Sequence, residues 1–190
     1  MGPRARRSLK VAAVFVALLL AAALLVAWPH RDFLLHRVGV VRPGVLYRSA
    51  QLDPDDLDEL VGRYGIRTVV NVREVVPAGE AEAVRARGLA YAWIPTPTQV
   101  PPPETVERFL ALLDDPARLP ILLHCEHGVG RTGVLTAIYR MEHEGWSADE
   151  AIAEARRYAM GGSFEEGQDK TEFLRRYLPR RTRPPAPDAP

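Results

Sequence analysis

Ile121-Leu122-Leu123-His124-Cys125-Glu126-His127-Gly128-Val129-Gly130-Arg131-Thr132-Gly133-Val134-Leu135-Thr136-Ala137-Ile138 is an apolar run, a short glycine-bearing polar segment and a second apolar run. That layout predicts a strand, a loop and a helix, with the chain's single cysteine at the strand end and an arginine at the helix start. Glycines let successive backbone N–H groups turn inward, and the following helix adds the positive end of its dipole. The loop therefore suits a tetrahedral oxyanion. The same surroundings favour a thiolate, because helix N-termini and nearby cations pull a cysteine pKa from about 8.5 to roughly 3.5–7.5. Taken singly, a cysteine after a strand is an ordinary small buried residue, and glycines there make a turn. Cysteine, five residues, arginine, a hydroxyl residue and glycine together form a far more specific constellation.

Outward from this segment the chain alternates strand-like and helix-like stretches. Asp53 as N-cap and Pro54 at the first helical position open an amphipathic helix with Leu57, Leu60, Val61 and Tyr64 on one face, closed by Gly65. Ile66 to Val72 is β-branched and short enough for a buried strand, Gly79 to Arg87 reads as a helix closed by Gly88, and Tyr91 to Ile94 as the next strand. Glu104 to Leu113 carries Val106, Phe109, Leu110 and Leu113 at helical spacing. After the cysteine loop come three helical stretches: Thr132 to Glu144, Ser147 to Tyr158 with a capping box at Ser147 and Glu150, and Asp169 to Tyr177. The fold class is α/β, a mostly parallel central sheet flanked by helices. Placing the loop at the carboxyl end of a strand matches where open α/β sheets bind ligands.

The 190 residues, 26% of them charged, suffice for one domain and an appendage. A net charge of +1 argues against a nucleic-acid partner. Arg4, Arg6, Arg7 and Lys10 precede the uncharged stretch from Val11 to Trp28, which predicts one N-terminal transmembrane helix. A cleavable signal is the alternative; the apolar run exceeds the roughly 7–15 residues such signals use. The basic residues place the rest of the chain across the membrane, so the expected location is single-pass membrane with an extracytoplasmic domain. Residues 1–30 are then an anchor, 31–42 a connector without strong period, 43–178 the catalytic domain and 179–190 a disordered tail. Phe33-Leu34-Leu35 in the connector suit either the membrane or the domain surface. The arginines at 175, 176, 180, 181 and 183 read as solvated, with anionic lipid as the other option.

His124-Cys125, five residues, Arg131 and Thr132 resemble the signature of the cysteine-dependent protein tyrosine and dual-specificity phosphatases. Gly44-Val45-Leu46-Tyr47-Arg48-Ser49-Ala50-Gln51 and Gly65-Ile66-Arg67-Thr68-Val69-Val70-Asn71-Val72-Arg73 are similar to opening segments of small bacterial members. The resemblance covers about Val40 to Tyr177 and implies a phosphoric monoester hydrolase of the protein phosphatase type, acting on a phosphorylated protein or small phosphoester. It implies Cys125 as nucleophile forming a cysteinyl-phosphate. The backbone N–H groups of Glu126, His127, Gly128, Val129, Gly130 and Arg131 would hold the equatorial oxygens, and the Arg131 fork would clamp two of them. Thr132 is placed to donate to the sulfur or to cap the following helix. His124 is expected to be buried and to orient the loop. No cofactor or metal is called for, and His124 with His127 make no ligand set.

The general acid is harder to find. Relatives carry an aspartate about thirty residues before the cysteine, whereas Pro95-Thr96-Pro97-Thr98-Gln99-Val100-Pro101 holds no carboxylate. Glu104 is the nearest candidate, although a first-turn helix acid explains it too. Glu126 and His127 are the other options. Glu126 should repel polyanionic headgroups, and Arg48 and Arg73 are open between site, ion-pair and surface roles. A phosphate-binding pseudophosphatase and a lipid-phosphate phosphatase are the alternatives. Sulfur or arsenate chemistry is disfavoured by Thr132-Gly133 and by the lack of a second cysteine.

Overall fold

The computed structural model describes residues 14–22, 36–97 and 100–182. Residues 14–22 are helical with exposed side chains, and the remainder of the expected membrane segment, like Phe33-Leu34-Leu35, lies outside the described residues. Among the described residues no helix is long and apolar enough to cross a membrane. The domain from His36 onward is a separate compact unit.

Five strands form its sheet: β1 (Gly39–Arg42), β2 (Leu46–Ser49), β3 (Thr68–Asn71), β4 (Ala90–Trp93) and β5 (Ile121–His124), in the order β1-β2-β5-β3-β4. Only β1 runs antiparallel, against β2; the other pairings are parallel. The sheet is thus mostly parallel, as the alternation of elements predicts. β1 is the departure, because it lies inside the stretch read as connector. Four residues, Gly39-Val40-Val41-Arg42, are too few to show a period, yet they pair with β2 through a register shift.

Period-2 alternation sends successive side chains to opposite faces, and both faces are covered. Ile121, Leu123, Leu46 and Val70 pack on one face with Phe109, Leu110, Val134, Leu135 and Ile138. Leu122, Tyr47 and Val69 pack on the other with Leu57, Leu60 and Val84. The helices supplying these residues are α1 (Pro54–Tyr64), α2 (Glu80–Ala86), α3 (Pro103–Leu113) and α4 (Gly130–Tyr139), followed by α5 (Ala148–Ala159) and α6 (Asp169–Arg176). Asp53 accepts the Asp56 N–H, and Gly65 closes α1 at φ 65. The Ser147–Glu150 capping box forms in full at the start of α5.

Two boundaries differ from the sequence reading. α4 starts at Gly130, so Thr132 lies inside its first turn rather than capping it, and residues Arg140–Glu144 wind as a π-turn. The stretch read as a disordered tail begins with an ordered turn, Arg180–Thr182. Arg180 holds that turn by donating from its backbone N–H to Glu142 at 3.0 Å and from Nη1 to Asp114 at 2.9 Å. Arg175 is likewise tied to Glu166 and Glu172. Charge pairing therefore consumes arginines that the sequence leaves solvated; residues 183–190 lie outside the described residues.

Candidate active site

The register of the three central strands sets the site. Ser49 of β2, His124 of β5 and Asn71 of β3 stand side by side at the carboxyl edge of the sheet. Cys125 follows His124 directly and is 4% exposed. It opens onto a cavity of about 240 Å³ lined by Glu126, His127, Val129, Gly130, Arg131 and Ser163 as well as itself. Of the groups named from sequence, the structure thus brings the thiol, the loop and Arg131 together. Among the described residues no backbone N–H from Glu126 to Val129 donates to a backbone carbonyl, which leaves these groups for an anion.

Arg131 is aimed rather than loose. Its Nε donates to the Thr96 carbonyl at 2.7 Å, and Thr96 is itself buried, its hydroxyl donating to Ile94 O at 3.1 Å. This leaves the two Nη nitrogens for a ligand.

The loop is held from behind by the segment after β2. Arg48, 0% exposed, donates from Nη2 to the Gly128 carbonyl at 2.7 Å, and the Gln51 N–H donates to the Glu126 carbonyl at 3.1 Å. Gly128 has φ +65, and a Cβ there would come within 2.6 Å of Ala50 N. Only glycine fits. Its carbonyl is turned toward β2, and Gly128 does not line the cavity.

His124 is 3% exposed. Its Nε2 stands 3.3 Å from Glu80 Oε1 and its Nδ1 3.4 Å from the Cys125 carbonyl oxygen. The carboxylate and the carbonyl oxygen both only accept, so each ring nitrogen faces an acceptor and the neutral ring donates to one of them at a time. Burial pushes the His124 pKa below its ordinary 6.5, while the Glu80 charge pulls the other way. Glu80 itself gathers donors from four places: Gln51 Nε2 at 2.7 Å, the Tyr91 hydroxyl at 2.7 Å, Asn71 Nδ2 and His124. The sequence reading passed over Glu80, whose only visible signal is an acid at the start of a helix.

The other expectations fare unevenly. Thr132 is fully buried and its Oγ1 has no hydrogen-bond partner, so the bond to the thiol is not formed. Glu104 sits exposed in the first turn of α3 and does not line the cavity. Glu126 Oε2 lies 3.7 Å from Arg73 Nη2, so its negative charge has a cationic neighbour and is a weaker filter against polyanions than the sequence suggests. Arg73 also donates to Gln51 Oε1 at 3.2 Å, which settles it in an ion pair beside the loop. Ser163 was missed. It reaches the cavity from a loop in which Gly161, Gly162 and Phe164 all have positive φ.

Known proteins resemble this chain in sequence and fold. Over 56 residues the chain is 36% identical to the dual specificity protein phosphatase TpbA of Pseudomonas aeruginosa, covering 30% of this chain and 25% of that protein. Over 97 residues it is 34% identical to the mRNA-capping enzyme of Danio rerio, 48% of this chain and 16% of that one. The matches thus span about a quarter or less of these curated relatives. Among solved structures, TpbA superposes with a TM-score of 0.61 at 25% identity over 74% of this chain and 84% of that one. The catalytic core of the PP-IP phosphatase SIW14 from S. cerevisiae gives 0.63 at 24% identity over 74% and 85%. One profile takes in everything from the last residue of β1 to α6, the whole loop and its supports included: through residues 42–173 this chain belongs to the family described as "DSP-PTPase phosphatase fused to NAD+ Kinase".

Proposed function

We propose that the domain hydrolyses phosphate monoesters through Cys125. The observation that carries this reading is the cavity floored by the thiol, with Arg131 aimed over it from Thr96. The thiolate attacks phosphorus in line, forming an S–P bond as the ester P–O bond breaks, and the leaving oxygen takes a proton. Water then cleaves the S–P bond, returning the thiolate and releasing inorganic phosphate. Loop N–H groups and Arg131 hold the equatorial oxygens in both steps.

Of the titratable side chains that line the cavity beside Cys125 and Arg131, Glu126 leans on Arg73, which leaves His127 as the acid for the leaving group. A phenolic leaving group needs less help than an alkyl one, so aryl phosphates, phosphotyrosine among them, are the favoured class. The family and the name of the Pseudomonas relative support a phosphorylated protein as substrate. Residues 1–30 would anchor the domain to a membrane, with the site outside the cytoplasm; protection of the domain from protease in intact spheroplasts would contradict that topology.

The test is hydrolysis of p-nitrophenyl phosphate by the full chain beside Cys125→Ser. Turnover sensitive to orthovanadate and abolished in the variant is expected. Tight binding of inorganic phosphate with no turnover would make the protein a phosphate-binding pseudophosphatase instead.

A further inference from the structure

Arg48 is the least exposed large polar side chain of the domain, and its guanidinium is only partly satisfied. Nη2 donates to Gly128 O at 2.7 Å, while Nε and Nη1 are buried without a hydrogen-bond partner. The Tyr158 ring covers one face, its centroid 3.9 Å away. Burial keeps that phenol protonated, so it offers a π face and no charge. Glu154 is the carboxylate whose field Arg48 feels, but it is engaged with Arg140, which donates to it at 3.0 and 2.6 Å. Among the described residues Arg48 therefore has no ion pair. A buried cation without a counter-charge is among the costliest features a fold can carry.

The loop supplies what is missing. We propose that Arg48 is a positioning residue whose buried charge, held against the Gly128 carbonyl, is the counter-charge for the anion formed and bound on the other side of the loop: the Cys125 thiolate and then the phosphoryl group. This rests on the phosphatase reading for the phosphoryl half only. Burial pulls Arg48 down to about 10, and Tyr158, Glu154 and Cys125 oppose that pull, so the side chain is charged at neutral pH. Contact with the loop is tight, since Gly128 has room for no Cβ against Ser49 and Ala50. The groups facing Cys125 from its other sides are His124 of β5, Glu126 and His127 of the loop, and Arg131 of α4, with Arg73 behind Glu126. Among these cations Arg48 alone is wholly buried, in the low-dielectric setting where a charge acts most strongly.

The experiment follows alkylation of Cys125 by iodoacetamide against pH in the full chain. Arg48→citrulline keeps a donor for Gly128 and drops the charge, Arg48→Gln drops the charge and the reach, and Arg48→Lys keeps the charge. Loss of charge should move the alkylation midpoint up by about one pH unit, a roughly tenfold loss of thiolate at fixed lower pH. It should also weaken orthovanadate binding about tenfold, while Arg48→Lys restores most of both. A folded Arg48→citrulline protein with the wild-type midpoint overturns the proposal. So does an Arg48→citrulline protein that does not fold, because the charge then serves the fold. Resting-thiol alkylation needs no turnover, so an inactive wild type with an Arg48-dependent midpoint removes the phosphatase reading and leaves this one standing.

Discussion

Arg131 Nε donates to the Thr96 carbonyl across 2.7 Å, tying the start of α4 to the segment that follows β4. The tie fixes the guanidinium plane, so the fork faces the cavity before any ligand arrives. Arg131→Lys keeps a charge and loses both the tie and the fork. It should lower kcat/KM for p-nitrophenyl phosphate by about 10²–10³-fold, the range for one lost oxyanion donor, with little change in melting temperature. A loss of under threefold would mean that charge alone suffices there.

His124 links stability to pH. Its folded pKa lies below the ordinary 6.5 because burial outweighs the pull of Glu80. The unfolded chain therefore binds the proton more readily, so this contribution is complete above about 6.5 and is lost as pH falls below it. Melting curves from pH 8 to pH 5 should fall more steeply for the wild type than for His124→Asn. Parallel slopes would assign the proton uptake to another group.

Gly128→Ala places a methyl 2.6 Å from Ala50 N at a backbone φ of +65. The expected cost is about 1–3 kcal/mol in urea unfolding, together with lost activity as the loop backs away from β2. A midpoint equal to wild type would show that the loop and strand can separate freely.

Glu104→Gln should leave aryl and alkyl phosphate rates within about twofold of wild type, since Glu104 is exposed and off the cavity. His127→Ala should slow alkyl phosphates by about 10² and aryl ones much less. The opposite pattern would return the acid role to Glu104.

The strand, loop and helix around Cys125 are legible in the chain because their signals are local: apolar runs, glycines, caps such as Asp53 and the Ser147–Glu150 box. What the chain does not show is set by register. Arg48 and Gly128 are 80 residues apart in sequence, and nothing in Tyr47-Arg48-Ser49 says that the arginine is sealed beneath a loop. Glu80 reaches His124 because α2 starts at the carboxyl edge of the sheet, where Asn71 stands and the Tyr91 hydroxyl reaches. Ser163 is brought in by a loop of left-handed residues whose path no periodicity predicts. The cap read at Thr132 and the acid read at Glu104 both rest on spacing along the chain; the helix starts at Gly130 and Glu104 stands exposed off the cavity, because the site is organised across the sheet.

The place of β5 in the sheet order bears on how the protein is made. β2 bonds to β1 and β5, and β3 to β4 and β5, so β2 and β3 share no ladder of their own. A nascent chain that has not yet released Ile121–His124 holds two separate scraps of sheet. The segment that joins them is the one that carries the thiol, so the nucleophile and the keystone of the domain emerge from the ribosome together. The domain cannot close first and be armed afterwards.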